Sequence, residues 1–271
     1  MGLQHRRPSR RGFLAATLLA TAGLAGCGTS ESLQGKLPTT RYFVEFTDSD
    51  GTTSTFHCSS DGVDPRRPVG ALVRLHGDID DGYSDEFDPA QDEGSFFRTL
   101  AAVAARHNLL LIAPRTPDDG EPARWWEDSP RNSAWLRALL DTDDFRALDR
   151  SRLSWCGYSG GAEFLTTELM ANHPEWLHAG ALMIGGGGPP ESPFDESRAG
   201  ESLRHVPLRW TVGSEDVAAN ADDGFDALGA ARAGRDHYAS LGATRTSLNV
   251  VPGVGHLDLD QLAAIEGFLA G

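Results

Sequence analysis

Gly157-Tyr158-Ser159-Gly160-Gly161 restricts what this chain can fold into more than any other run. It fits G-x-S-x-G, a turn that carries a nucleophilic serine from the end of a strand to the start of a helix. Arg152 to Cys156 upstream reads as a strand and Ala162 to Met170 downstream as a helix, so the motif has the context it requires. The glycines answer a steric problem: the serine backbone is strained at such a turn, and side chains on either side would clash. Gly160 also opens the helix, so its N–H lacks an intrahelical partner and is available to stabilise an oxyanion.

The surrounding chain alternates strands and helices. Arg41 to Asp48 and Thr53 to Ser59 alternate in polarity and read as a hairpin through Asp50-Gly51. Ala71 to Leu75 and Leu109 to Ala113 are short apolar runs of the kind buried in parallel sheets. Between them, Ser95 to His107 puts Phe96, Phe97, Leu100 and Val103 on one helical face. A helix over Ser133 to Leu140 precedes the serine strand. Strands follow at Ala181 to Ile184, Leu208 to Val212 and Ser247 to Val251, with helices over Phe225 to Leu241 and Leu259 to Leu269. This order predicts an α/β fold with a mostly parallel central sheet of about eight strands covered on both faces. Gly187 to Val206, rich in Gly and Pro, is too short for a large lid. Arg74 and Arg209 interrupt otherwise apolar strands, and the sequence offers no partner for either.

The first residues concern location. Ser9-Arg10-Arg11-Gly12-Phe13-Leu14 follows a twin-arginine export pattern, and a short apolar run ends at Leu24-Ala25-Gly26-Cys27. That tetrapeptide resembles a lipobox, in which Cys27 is lipidated. The run is too short and too rich in glycine for a membrane span. Residues 1–26 therefore read as a signal peptide, 27–40 as a lipidated cysteine with a polar tether, and 41–271 as one catalytic domain. The expectation is export with lipid attachment at the outer face of the cytoplasmic membrane or the cell surface, the membrane being met only through that anchor. Without the leader's four arginines, 20 basic residues face 39 acidic ones, a net charge of −19. Nucleic-acid binding is excluded at that charge, because phosphate contacts need basic stripes.

The chain resembles the α/β-hydrolase superfamily over the whole of this domain, and within it the secreted esterases related to polyhydroxybutyrate depolymerases and feruloyl esterases. The superfamily orders its triad as serine, acid, histidine. Here Ser159 is followed by Val212-Gly213-Ser214-Glu215-Asp216 and then by Gly253-Val254-Gly255-His256. The resemblance implies Ser159 as nucleophile, His256 as base and Asp216 as the acid that orients it. Glu215, Asp222 and Asp223 are the competing carboxylates. His76-Gly77-Asp78 matches the family turn that supplies a second oxyanion N–H, here from Asp78 beside that of Gly160, although an acidic residue there is a departure.

Trp125-Trp126 falls in the loop after the fourth strand, where paired rings make either a substrate platform or packing against the following helix. Tyr158 is the remaining substrate-binding candidate. The acidic run from Asp78 to Asp88 lacks the glycine and glutamate positions of an EF-hand loop and reads as a solvated surface. No metal or other cofactor is expected. Cys58 and Cys156 lie on strands that are not neighbours in such a fold, which favours two buried thiols over a disulfide. The expected activity is hydrolysis of a carboxylic ester, polymeric or aromatic, through an acyl-enzyme. Acyltransferase, thioesterase and peptidase chemistry use the same triad, and a non-catalytic binding protein on this scaffold is the alternative of another class. Oligomeric state is not legible.

Overall fold

The computed structural model describes residues 37–79 and 96–271. The signal peptide, Cys27, most of the tether and the acidic run from Asp80 to Asp88 lie outside the described residues. Among the described residues one sheet holds β1 (Arg41–Thr47), β2 (Thr53–Ser59), β3 (Gly70–Leu75), β4 (Leu109–Pro114), β5 (Leu153–Tyr158), β6 (Ala181–Ile184), β7 (Leu208–Gly213) and β8 (Thr246–Val251). Their order is β1-β2-β4-β3-β5-β6-β7-β8. The hairpin β1–β2 joins β4 antiparallel, and β4 through β8 run parallel.

Residue type explains which strands sit where. β3 and β4 are buried along their whole length, as strands covered on both faces must be, whereas β8 alternates at the sheet edge. Helices α1 (Phe96–Arg106) and α7 (Gln261–Leu269) cover one face. Phe97, Leu100, Ile265 and Phe268 pack there on Leu72, Leu111 and Leu182. α2 (Ser129–Leu140), the helix that opens with α3 (Gly160–Phe164), and α6 (Ala227–Ser240) cover the other. Trp135, Phe164 and Tyr238 pack there on Val73, Trp155 and Trp210. Each such side chain contributes about 1.5–3 kcal/mol on burial.

Caps account for the shifted helix boundaries. Asp226 accepts a hydrogen bond from Gly229 N and Asp260 one from Ala263 N, so α6 and α7 begin just after those aspartates. α2 begins four residues earlier than its apolar pattern suggests, because Pro130 suits the first helical turn. The sequence reading missed α5 (Glu196–Leu203), in which few residues are apolar and Ala199, Gly200 and Leu203 are buried. Asp195 caps it. This short helix is all that the β6–β7 connection carries, so no large lid is present there.

Cys58 on β2 and Cys156 on β5 are both buried, and with β4 and β3 between them they are not joined. Arg74 reaches beyond its strand: one Nη donates to Gln261 Oε1 of α7 at 2.6 Å and the other to the Leu75 carbonyl. Arg209 donates to the Gly267 carbonyl at 3.0 Å.

Candidate active site

Strand register brings the site together. Tyr158 pairs with Ile184, Ile184 with Thr211, and Gly213 with Val251, so β5 to β8 end along one edge of the sheet. Ser159, the glycine loop after β6, Asp216 and His256 all follow those ends. This is the edge at which open α/β sheets bind ligands.

Ser159 has φ 50° and ψ −120°, a conformation that a residue with a side chain adopts only under constraint. Its N–H donates to the Ile184 carbonyl at 2.8 Å, and its carbonyl accepts from Ala162 N and Glu163 N. The turn is thus pinned to β6 on one side and to its own helix on the other. Gly161 lets that helix press against β3: a Cβ there would sit 2.5 Å from the His76 carbonyl oxygen and 2.6 Å from that of Leu75. The helix continues through a π turn at Leu165–Leu169 into α4 (Met170–Asn172). Thr166 and Thr167 hydroxyls donate there to the carbonyls of Ala162 and Glu163, competing with the helical ladder.

His256 Nδ1 lies 2.8 Å from Asp216 Oδ2. Asp216 is buried, and its carbonyl is tied to Leu228 N at the start of α6. Glu215 points elsewhere: its carboxylate meets the Ser214 hydroxyl, and only its backbone N–H reaches the histidine loop, at the Val254 carbonyl. Asp216 is therefore the carboxylate in contact with His256. Tyr158 stacks on the imidazole with centroids 5.1 Å apart, and its hydroxyl donates to the His256 carbonyl at 3.1 Å. These contacts fix the position of the histidine loop. Ser159 Oγ makes no hydrogen bond to a described residue, including His256. Such contacts are often long in unliganded sites.

The His76-Gly77-Asp78 turn is held from within. His76 Nε2 accepts from Thr116 N at 2.9 Å, so the ring carries its proton on Nδ1, which donates to the Gly77 carbonyl. The Asp78 carboxylate accepts from Trp126 Nε1 at 3.1 Å and pairs with Arg124 at 3.3 Å. The Arg124 guanidinium in turn stands 5.0 Å over the Trp126 ring. This carboxylate reaches so close to the turn that a Cβ on Gly160 would fall 1.9 Å from Asp78 Oδ1. Arg124 compensates the acidic departure in the motif.

A cleft of about 490 Å³ opens beside Ser159 and Gly160, walled by Trp126, Phe225, Asp78, Glu163, Glu191 and Asp223. The tryptophan pair divides. Trp126 is 40% exposed and lines the cleft, whereas Trp125 is fully buried between His76 and Phe164 and cannot meet substrate. Of the two readings of the pair, the substrate-binding one is corrected for Trp125, which packs in the core beneath the loop.

Sequence reasoning missed Glu163. Its carboxylate accepts from Gly187 N at 2.6 Å and from Gly188 N at 3.1 Å, joining the serine helix to the glycine loop after β6. The side chain keeps some contact with the cleft, but burial of the carboxylate pushes its pKa above the usual glutamate range, against the two amide bonds. Spacing of four from Ser159 was the available signal, and nothing in the sequence identified its partners. No group of three or more His, Cys, Asp or Glu suited to hold a metal occurs among the described residues.

No protein-family model and no curated protein sequence matches the chain. Solved structures do. A thermostable esterase superposes with TM-score 0.53 at 19% identity, covering 84% of this chain, which spans only 59% of that protein. A poly(3-hydroxybutyrate) depolymerase from Bordetella parapertussis gives TM-score 0.54 at 18% identity, covering 88% of this chain and 93% of the other. The feruloyl esterase module from Clostridium thermocellum, in complex with sinapinate, gives 0.53 at 14%, covering 88% and 89%. With the sheet order above, these likenesses establish the α/β-hydrolase fold.

Proposed function

We propose that the chain hydrolyses carboxylic esters by serine catalysis. The observation that carries this reading is the buried Asp216 in contact with His256 Nδ1, on the sheet edge where Ser159 is held in a strained turn. Asp216 keeps the proton on Nδ1, which leaves the Nε2 lone pair as the base. Ser159 Oγ gives its proton to Nε2 and attacks the ester carbonyl. The Gly160 and Asp78 N–H groups stabilise the resulting oxyanion, each donor being worth about a hundred- to a thousandfold in rate. Collapse breaks the C–O bond, and His256 returns the proton to the departing alkoxide. Water, activated by the same imidazole, then releases the acid.

The cleft supports an ester that is polymeric or aromatic. Among the described residues the β6–β7 connection carries no large lid, and Trp126 and Phe225 offer ring faces along the cleft wall. The depolymerase and feruloyl esterase among the structural neighbours act on esters of those two kinds by name. A fluorophosphonate probe should label wild type and leave Ser159→Ala unlabelled. Acyl and aryl esters, a polyester and a feruloylated sugar, assayed beside that variant, define the substrate. Equal labelling of the variant would refute Ser159 as the nucleophile.

A further inference from the structure

At the opposite edge of the sheet from Ser159, a cavity of about 380 Å³ is lined by Arg152, Arg209 and Arg245, with His107, Leu109 and Phe268. Arg152 immediately precedes β5, Arg209 is the second residue of β7, and Arg245 immediately precedes β8. Strands in a sheet lie about 4.8 Å apart, so these backbone positions span about 15 Å, within the combined reach of arginine side chains converging on one ligand. Arg209 and Arg245 are closer still, since Leu208 N donates to the Arg245 carbonyl.

What these guanidinium groups lack is an ion-pair partner among the described residues. Arg152 donates from one Nη to the His107 carbonyl at 2.9 Å, and its buried Nε has no partner. Arg209 donates to the Gly267 carbonyl at 3.0 Å and stands 5.9 Å over the Phe268 ring. Arg245 makes one long contact, 3.5 Å, to the His205 carbonyl. No ion pair reaches any of the three among the described residues; no acidic side chain lines the cavity, and the main-chain carboxylate of Gly271 in its wall is within ion-pair distance of none of them. This occurs in a chain with 39 acidic residues against 24 basic ones. Arginines elsewhere do find acids, as in Arg41–Asp144, Arg106–Glu266 and Arg198–Glu175. Each guanidinium has five donors in a planar fork that matches an oxyanion, and most of those in the cavity are uncommitted.

We infer that this cavity binds a small organic phosphate, its dianionic group held by Arg152, Arg209 and Arg245 and a short apolar substituent lying against Leu109 and Phe268. The cavity is larger than a bare phosphate needs, and its apolar wall selects the substituent. The site does not depend on the chemistry at Ser159, which lies beyond the other end of β5.

Calorimetric titration of the full chain with butyl phosphate, inorganic phosphate and butyrate, at ionic strength held constant with sodium chloride, tests it. Butyl phosphate should bind at one saturable site, more tightly than either of the others. Arg209→Gln and the exposed Arg245→Gln should each weaken it by about tenfold, the loss expected when a charge-assisted fork is removed. Ser159→Ala and Arg232→Gln should leave it unchanged. Circular dichroism confirms that each variant is folded, and Arg245→Lys, which keeps the charge and loses the fork, should fall between wild type and Arg245→Gln. Absence of saturation, or equal binding by wild type and both glutamine variants, would overturn the assignment, as would loss of binding in Ser159→Ala.

Discussion

Replacing Glu163 probes how the candidate site is held together. Its carboxylate is the acceptor for Gly187 N and Gly188 N, and its pKa is raised by burial. An acid whose folded pKa exceeds its unfolded one contributes most stability below the unfolded value, near pH 4.5. That contribution is lost as pH rises through the folded pKa and stays lost above it. Glu163→Gln keeps an oxygen that can accept from both amides and never ionises. Its stability relative to wild type should therefore rise between pH 4.5 and pH 8, ending within about 1 kcal/mol of wild type or above it. Glu163→Ala orphans two amide donors at about 1–3 kcal/mol each, and water entering from the cleft rehydrates one in part, giving a loss of about 2–4 kcal/mol. The glycine loop also borders the histidine: a Cβ on Gly185 would lie 3.0 Å from His256 Cε1, and Pro189, Glu191 and Ser192 beyond it wall the cleft. Loosening it in Glu163→Ala should raise KM more than it lowers kcat. Urea unfolding at the two pH values, with steady-state ester hydrolysis, makes the measurement. Equal destabilisation of the glutamine and alanine variants at both pH values would refute the argument, because it would mean that the charge rather than its burial governs the clamp.

Three further outcomes follow from the same geometry. Asp216→Asn should lower kcat by about 10⁴-fold by favouring the wrong imidazole tautomer, while Glu215→Gln, whose carboxylate does not touch His256, should stay within about twofold; the reverse pattern would move the acid by one residue. Glu168 behaves oppositely to Glu163: burial works to raise its pKa, but contacts with His173, Ser133 and Asn172 outweigh that and hold it low. Its stabilisation is present above the unfolded pKa and lost as pH falls through the folded one, so the gap between wild type and Glu168→Gln should be wide at pH 7 and close below about pH 4; a gap independent of pH would contradict this. Asp78, Glu163, Glu191 and Asp223 line the cleft, and of these only Asp78 is paired with a basic side chain, Arg124, among the described residues, so among esters of matched size kcat/KM should fall by about tenfold from cationic to anionic, and the ratio should shrink with added salt; a ratio near one at low salt would count against it.

Much of the fold follows from local rules. Period-two and continuous apolar runs located the strands, and the glycines around Ser159 marked a turn that other residues could not occupy, since a Cβ at position 161 would strike the backbone of β3. The order Ser159, Asp216, His256 was readable from the resemblance to the α/β-hydrolase superfamily, and it fits the sheet because each follows the end of a strand and parallel strands deliver their ends to one edge. Tertiary structure decided what depends on depth and on distant partners. Trp125 and Trp126 are neighbours in sequence with nothing to distinguish them, yet one is buried and the other lines the cleft. The family resemblance favoured Asp216 over Glu215, but the contact itself depends on the loop after β7, which aims one carboxylate at His256 and the other at Ser214. Glu163 became significant through amides 24 and 25 residues away, and Arg209 through the cavity it lines together with Arg152 and Arg245, which precede β5 and β8. A sequence records the propensities of neighbouring residues. Burial and electrostatic partnership are properties of a position in space, and they exist only when the sheet has brought its strand ends together.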